Sequence, residues 1–339
     1  MTVEAVHVLR GEIPESIHRA DVAVSDDKGK IVAWLGYPAK ITYMRSASKP
    51  IQAIPLVESG ALDHFGLTDK ELAIICASHS GEQEHLDTVH GILEKIGLRE
   101  DCLQCGTHPP LDSATRRQMI REDRVPTPSG HNCSGKHAGF LALCVYRGYP
   151  LDGYLLPDHP VQQEVLSVMA EFTDMPPENI VLAVDGCGVP VYALPLWRMA
   201  MSFARLATGY NMSEQRSWAC QRIVDAMWAY PYMVGGRKRL CTELLSRFPG
   251  RVLAKVGAEA VYCMSLPELG LGVAIKMEDG TERGLAPTVI AVLEQLGVLS
   301  RTELDELARF SSPKVLNSRG QVVGKVKAVF ELLKLSDWE

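Results

Sequence analysis

Arg45-Ser46-Ala47-Ser48-Lys49-Pro50 places a serine and a lysine three residues apart at the head of an apolar run. Residues at that spacing share one face of a helix, so the Ser46 hydroxyl and the Lys49 amine can meet. An alcohol is a weak nucleophile near neutral pH. A lysine can act as its base only when burial or a neighbouring cation pulls its pKa below that of a solvated amine. Ser-x-x-Lys is the acylating pair of penicillin-recognising enzymes, in which a Lys-Thr-Gly element completes the site. The tetrapeptide alone decides little, because Ser25/Lys28 and Ser311/Lys314 repeat it in this chain.

The surrounding elements give the pair a frame. Residues 5–9, 21–24 and 31–35 read as strands, the last two joined by the polar turn 25–30 as a hairpin. A helix is expected over 46–60, with Pro50 tolerated in its first turn. Helical periodicity then dominates 68–248, in stretches such as 69–77, 83–96, 113–122, 135–146, 161–172 and 213–228. Strands return at 251–256, 260–264, 271–277 and 322–330, with a helix near 286–296. The simplest packing joins the N- and C-terminal strands in one antiparallel sheet, with a large helical block (about 68–248) beside it. The expected class is α+β, with the element order of the serine β-lactamase and penicillin-binding architecture, in one catalytic domain over 1–339.

Composition narrows the function classes. The chain has 339 residues, 46% hydrophobic and 22% charged, with 35 basic against 41 acidic side chains. A net charge of −6 offers no basic footprint for nucleic acid. The start, Met1-Thr2-Val3-Glu4-Ala5, lacks a signal-peptide pattern, and apolar runs such as 72–77 and 140–146 are too short to span a bilayer. Nine cysteines, an odd number, then read as reduced thiols in the cytoplasm.

A second Ser/Lys combination supports the first. Ser78, in Ala77-Ser78-His79-Ser80-Gly81-Glu82, follows an apolar helix. Lys255 ends a strand in Lys255-Val256-Gly257, the spacing of Lys-Thr-Gly with valine for threonine. Glycine there suits close backbone approach; the alternative is a surface lysine and a capping serine. In Ser129-Gly130-His131-Asn132-Cys133-Ser134-Gly135-Lys136-His137, the glycines and lysine have P-loop spacing. His137 nevertheless replaces the Ser or Thr that would hold magnesium, and 125–129 is a poor strand, which argues against an NTPase. Cys133, with Lys136 or His137, and Cys187 of Asp185-Gly186-Cys187-Gly188-Val189-Pro190 can instead bind a cation such as zinc. Asp185 can anchor a substrate ammonium. Tight turns with buried cysteines remain the alternative. Cys102-Leu103-Gln104-Cys105 has no partner pair at zinc-finger spacing and reads as structural.

Taken in order, these five motifs resemble those of the bacterial asparaginase II family of the Rhizobium etli type, over nearly the whole chain. The resemblance implies hydrolysis of L-asparagine to aspartate and ammonia. It implies Ser46 as nucleophile with Lys49 its base, and Ser78 with Lys255 as a second pair. Cys133, Lys136 and Cys187 would bind a modulatory zinc ion. Arg45, His137 and Asp185 would hold the substrate, with Cys241 nearby. The serine β-lactamase/penicillin-binding/glutaminase-like fold and a homodimer are implied as well. Ser48 adds a second hydroxyl to the first motif, so acylation of Ser46 or of Ser48 stays open. A glutaminase or other amidase of the same fold, and a non-enzymatic zinc-binding protein, are the rival readings.

Overall fold

Hydrogen-bond pairing joins the two ends of the chain in a single antiparallel sheet. The structure, a computed structural model, describes residues 1–335. Its strands are β1 (Val3–Arg10), β2 (Ile13–Asp26), β3 (Ile31–Leu35), β4 (Ile41–Tyr43), β5 (Val181–Val184) and β6 (Pro190–Pro195), then β7 (Leu253–Gly257), β8 (Val261–Leu266), β9 (Leu271–Met277), β10 (Lys314–Leu316), β11 (Val322–Ala328) and β12 (Leu333–Lys334). The main sheet runs β10-β11-β1-β2-β9-β8-β7. β2 is long enough to pair β1 through its first half, and β9 and β3 through its second. β12 closes on β3.

Strand alternation gives this sheet two different faces. Val273 and Ile275 of β9, with Tyr262 and Met264 of β8, pack into one core cluster beneath the helix Leu285–Gln295. Ala274, Cys263 and Ala23 point the other way, into the cluster that contains the helix Leu196–Thr208. That second face is built from small residues, so the helix lies close to the strands. Gly272 marks the tightest point: a Cβ there would sit 1.8 Å from the Ala200 carbonyl oxygen.

The expected helix over 46–60 is divided. A 3₁₀ turn, Arg45–Ser48, leads into Lys49–Gln52, and a further helix covers Ile54–Glu58. Pro50 and Pro55 each occupy a first turn, where a missing N–H costs least, so the chain restarts at each proline instead of running through. The run at 180–184, in a region read as mainly helical, is strand β5. It forms with β6 and β4 a separate three-stranded antiparallel sheet, order β4-β6-β5. Among the described residues no helix is long and apolar enough to cross a membrane.

Gly272→Val should therefore be strongly destabilising. Overpacking usually costs about 1–3 kcal/mol, and a contact with helix backbone leaves little room to relax, so we expect the upper end or beyond. An unchanged urea midpoint would show that the helix does not approach the sheet this closely.

Candidate active site

The small sheet builds the first half of the site. β4 delivers the chain to the Arg45–Ser48 turn, and the Met44 N–H donates to the Tyr192 carbonyl of β6. Arg45 then turns into left-handed backbone at φ 51°, an uncommon conformation for a residue with a Cβ. Its guanidinium Nε donates to Asp185 Oδ1 at 2.7 Å, and the Gly186 N–H donates to the same oxygen at 2.8 Å. Asp185 and Cys187 lie on the tight turn between β5 and β6, where Gly188 takes φ 91°. One three-stranded sheet thus carries the Ser46 turn and the Asp185-Gly186-Cys187 turn to the same place.

The two serines of the first motif differ in what their hydroxyls do. Ser48 Oγ donates to the Arg45 carbonyl at 2.8 Å and is 2% exposed. Ser46 is 8% exposed, and its hydroxyl has no hydrogen-bond partner among the described residues. The turn is held from behind by the end of β7, where a Cβ on Gly257 would fall 2.8 Å from the Met44 carbonyl oxygen. The glycine of Lys-x-Gly is thus needed for the approach of this turn.

Three buried side chains from distant parts of the chain meet at Ser78. Lys49, Ser78 and Lys255 are each at most 4% exposed. Lys255 Nζ lies 2.8 Å from Ser78 Oγ and 2.8 Å from its neighbour's carbonyl oxygen, Val256 O. Lys49 Nζ lies 3.2 Å from the same Ser78 Oγ, and also meets Ala77 O and Asn132 O. The Ser78 hydroxyl therefore bridges two amines. Lys49 was expected beside Ser46, but its three hydrogen bonds go to the Ser78 segment and to Asn132. Burial lowers the Lys255 pKa to about 7, and the nearby Lys49 charge adds to that.

The Ser78 segment is fixed by a network whose members His79, Ser80 and Glu82 lie in the Ala77–Glu82 motif but whose partners the motif does not name. Ser134 Oγ donates to Ser129 O, so it accepts from His79 Nε2, while His79 Nδ1 accepts the Gly81 N–H. Burial keeps this imidazole neutral, as both bonds require. His79 stacks on His85, which stacks on Tyr232. Ser80 Oγ donates to Gly235 O, and Glu82 pairs with Arg237. His79 and His85 are too far apart in sequence for a recognised motif. Only the tertiary stack shows what they do.

The cysteine turns also converge. Cys133, Lys136 and Cys187 are buried, and Lys136 Nζ donates to Cys187 Sγ at 3.0 Å. The interaction of the two neighbouring thiols lowers the pKa of Cys133 against the effect of burial and raises that of Cys187. Burial opposes the Lys136 charge, but Cys187, Cys133 and Asp185 outweigh it and raise its pKa. Two sulfurs and an amine that meet in a dry site form a donor set suited to a borderline cation once the amine gives up its proton. Among the described residues no cluster of three or more His, Cys, Asp or Glu side chains could hold a metal.

His137 is fully buried. The Tyr154 hydroxyl accepts the Gln104 N–H and donates to His137 Nδ1 at 2.7 Å, leaving Nε2 without a partner among the described residues. Burial and the Lys136 charge keep the ring neutral. Gly135 serves packing, because its Cβ would lie 2.2 Å from Ile74 O. With Lys136 on Cys187, the P-loop spacing forms no phosphate cradle. Cys241 packs with Tyr262 in the core cluster on the other face of the main sheet from Cys263. Among the described residues no hydrogen bond joins it to Arg45 or Asp185, and it lies near enough to Lys255 to act on that amine.

Comparison with solved structures gives distant similarities. Mglu in its tris and glutamate form is 16% identical with a TM-score of 0.38, over 83% of this chain and 59% of that one. Mglu in its native form is 15% identical with a TM-score of 0.38, over 84% of this chain and 67% of that one. The chain thus spans 59% of the length of the first of these structures. A comparison with curated protein sequences gives no match. The family model described as L-asparaginase II matches residues 6–328, and the chain belongs to that family, a family of amidohydrolases.

Proposed function

We propose that the protein hydrolyses the side-chain amide of L-asparagine to L-aspartate and ammonia through an acyl-enzyme on Ser46. We place it on a serine β-lactamase, penicillin-binding and glutaminase-like fold, as a single catalytic domain acting as a cytoplasmic homodimer. The observation that carries the mechanism is the Ser78 hydroxyl held between Lys255 and Lys49, the latter one turn along the chain from an unengaged Ser46 hydroxyl. The antiparallel sheet built from both chain ends supports the fold assignment.

Lys255, its pKa lowered by burial to about 7, can give and take a proton through Ser78 near neutral pH. In one arrangement Lys49 is the ammonium and Lys255 accepts the Ser78 proton. Passing protons along Lys49–Ser78–Lys255 leaves a neutral Lys49 and an ammonium at Lys255. Neutral Lys49 then takes the Ser46 proton as Oγ bonds to the amide carbon. Backbone N–H groups at the turn stabilise the oxyanion. The C–N bond breaks as the relay returns a proton to the leaving nitrogen, releasing ammonia. Water attacks the resulting β-aspartyl ester, giving its proton to the same relay, and Ser46 recovers its hydrogen. Ser48 is set aside because its hydroxyl is committed to Arg45 O.

The Arg45–Asp185 pair suits the two charged ends of an amino acid. The guanidinium would take the α-carboxylate and Asp185 the α-ammonium, so substrate replaces an ion pair already in place. Cys133, Lys136 and Cys187 would hold zinc, whose charge would fix the Asp185 turn and so orient the substrate. The serine supplies the nucleophile.

The relay gives a defined pH dependence. Below about pH 7 Lys255 is protonated and can no longer draw a proton along the relay, so Lys49 is not freed to take the Ser46 proton. kcat/KM should therefore fall as pH drops through about 7 and level off above it. Ser46→Ala, Ser78→Ala and Lys255→Met should each lower kcat by about 10²-fold or more, and Lys255→Met should also remove the acid limb. Near-normal turnover by Ser46→Ala would move the acyl group to another residue.

Arg45→Met and Asp185→Asn should act chiefly on KM, raising it by about tenfold or more through loss of a charged contact. Ammonia release on asparagine and on glutamine decides the amide: faster turnover of glutamine would make the protein a glutaminase.

Zinc titrated against a chromophoric chelator should bind stoichiometrically to the wild type and be lost from Cys133→Ala and Cys187→Ala. Equal binding by these variants would remove the cation from this site.

A further inference from the structure

On the opposite face of the main sheet lies a cavity of about 180 Å³ that the amidase reading does not use. Alternation along β7 separates the two sites. Lys255 faces Ser78, whereas Val256 lines this cavity together with Tyr262, its cross-strand partner on β8. Leu240, Leu285, Ala286 and Phe310 give the cavity an apolar wall. Two polar side chains that line it lack a hydrogen-bond partner among the described residues. Arg239 is half-buried, and its guanidinium has no carboxylate partner among the described residues. Tyr262 is 1% exposed, and its hydroxyl lies beside the Cys241 thiol without completing a hydrogen bond of ordinary geometry. The helix Leu285–Gln295 begins at the same cavity with no side-chain cap on its first turn.

An unpaired guanidinium, an unsatisfied phenol and an uncapped helix start all favour a negative charge of small size. The apolar wall favours a hydrocarbon body attached to it. We propose that this cavity binds a small carboxylate with an apolar body. Its carboxylate lies on Arg239 and Tyr262 at the helix start, and its body against Leu240, Leu285 and Phe310. Exposed Glu282 and Lys238 flank the cavity. Glu282 can receive an ammonium, so a simple carboxylate and an apolar amino acid share the required chemistry.

Isothermal titration of the full chain with 4-methylpentanoate and with L-leucine tests the proposal. We expect saturable binding of at least one ligand at millimolar concentration or below. Arg239→Met should weaken it by about tenfold or more, and Tyr262→Phe should weaken it with an unchanged urea midpoint. Arg45→Met should leave it intact, which separates this cavity from the asparagine site. Tighter binding of leucine, lost in Glu282→Gln, would assign the cavity to amino acids, and tighter binding of 4-methylpentanoate would assign it to simple carboxylates. Two results overturn the proposal: no saturable binding of either ligand, or binding lost in Arg45→Met and kept in Arg239→Met.

Discussion

Two primary amines buried against one hydroxyl form the constraint around which the molecule is arranged. A buried ammonium is costly unless oxygens surround it, and two of them together are costlier still. Lys49 meets that demand with Ala77 O, Asn132 O and Ser78 Oγ, all from outside its own helix. Lys255 meets it with Ser78 Oγ and a carbonyl of its own strand end. The carbonyls therefore have to be held in place. The Ala77–Ser78 segment is tied by His79 to Ser134 and by Ser80 to Gly235, so neither oxygen can drift without breaking a buried hydrogen bond. The histidine stack stabilises the amine pair although it touches neither lysine.

The small β4-β6-β5 sheet answers a different requirement. A nucleophile on a turn has to be rigid, yet this turn starts from a residue at positive φ, which costs energy for any side chain bearing a Cβ. The Arg45–Asp185 ion pair, the Met44–Tyr192 backbone bond and the abutment of Gly257 together hold that conformation. The same ion pair presents opposite charges side by side beside Ser46, so the contact that holds the turn also suits a zwitterion. Positioning and recognition are thus joined in one interaction.

Much of this could be read from sequence because local spacing carries part of it. The strands at both ends, the placing of Lys255 at a strand end, and the pairing of the two cysteine turns follow from alternation, length and residue type. What could not be read depends on contacts between distant segments. Ser46 and Lys49 are neighbours by number, yet the amine turns to Ser78, 29 residues on. β4 has three residues and β5 is largely exposed, so neither shows a burial pattern that separates a strand from a loop. Pro55 lay in plain sight, but its effect depends on where the preceding helix ends. Gly135 imitated a phosphate loop because glycine marks any close approach, and here the neighbour is Ile74 O.

The strand end Lys255-Val256-Gly257 shows how three adjacent residues can be fixed by three unrelated neighbours. β7 is an edge strand, so its last residues meet groups on both faces and along the free side. Lys255 points through one face to Ser78, and Val256 points through the other to the Arg239 cavity. Gly257, with no side chain, lets the Ser46 turn lie against the backbone. Slipping this strand by one residue would exchange its faces, bury a valine against Ser78 and send the lysine amine towards Tyr262. The register of a single edge strand therefore fixes the second amine of the relay, the packing of the nucleophile turn and one wall of the separate cavity together.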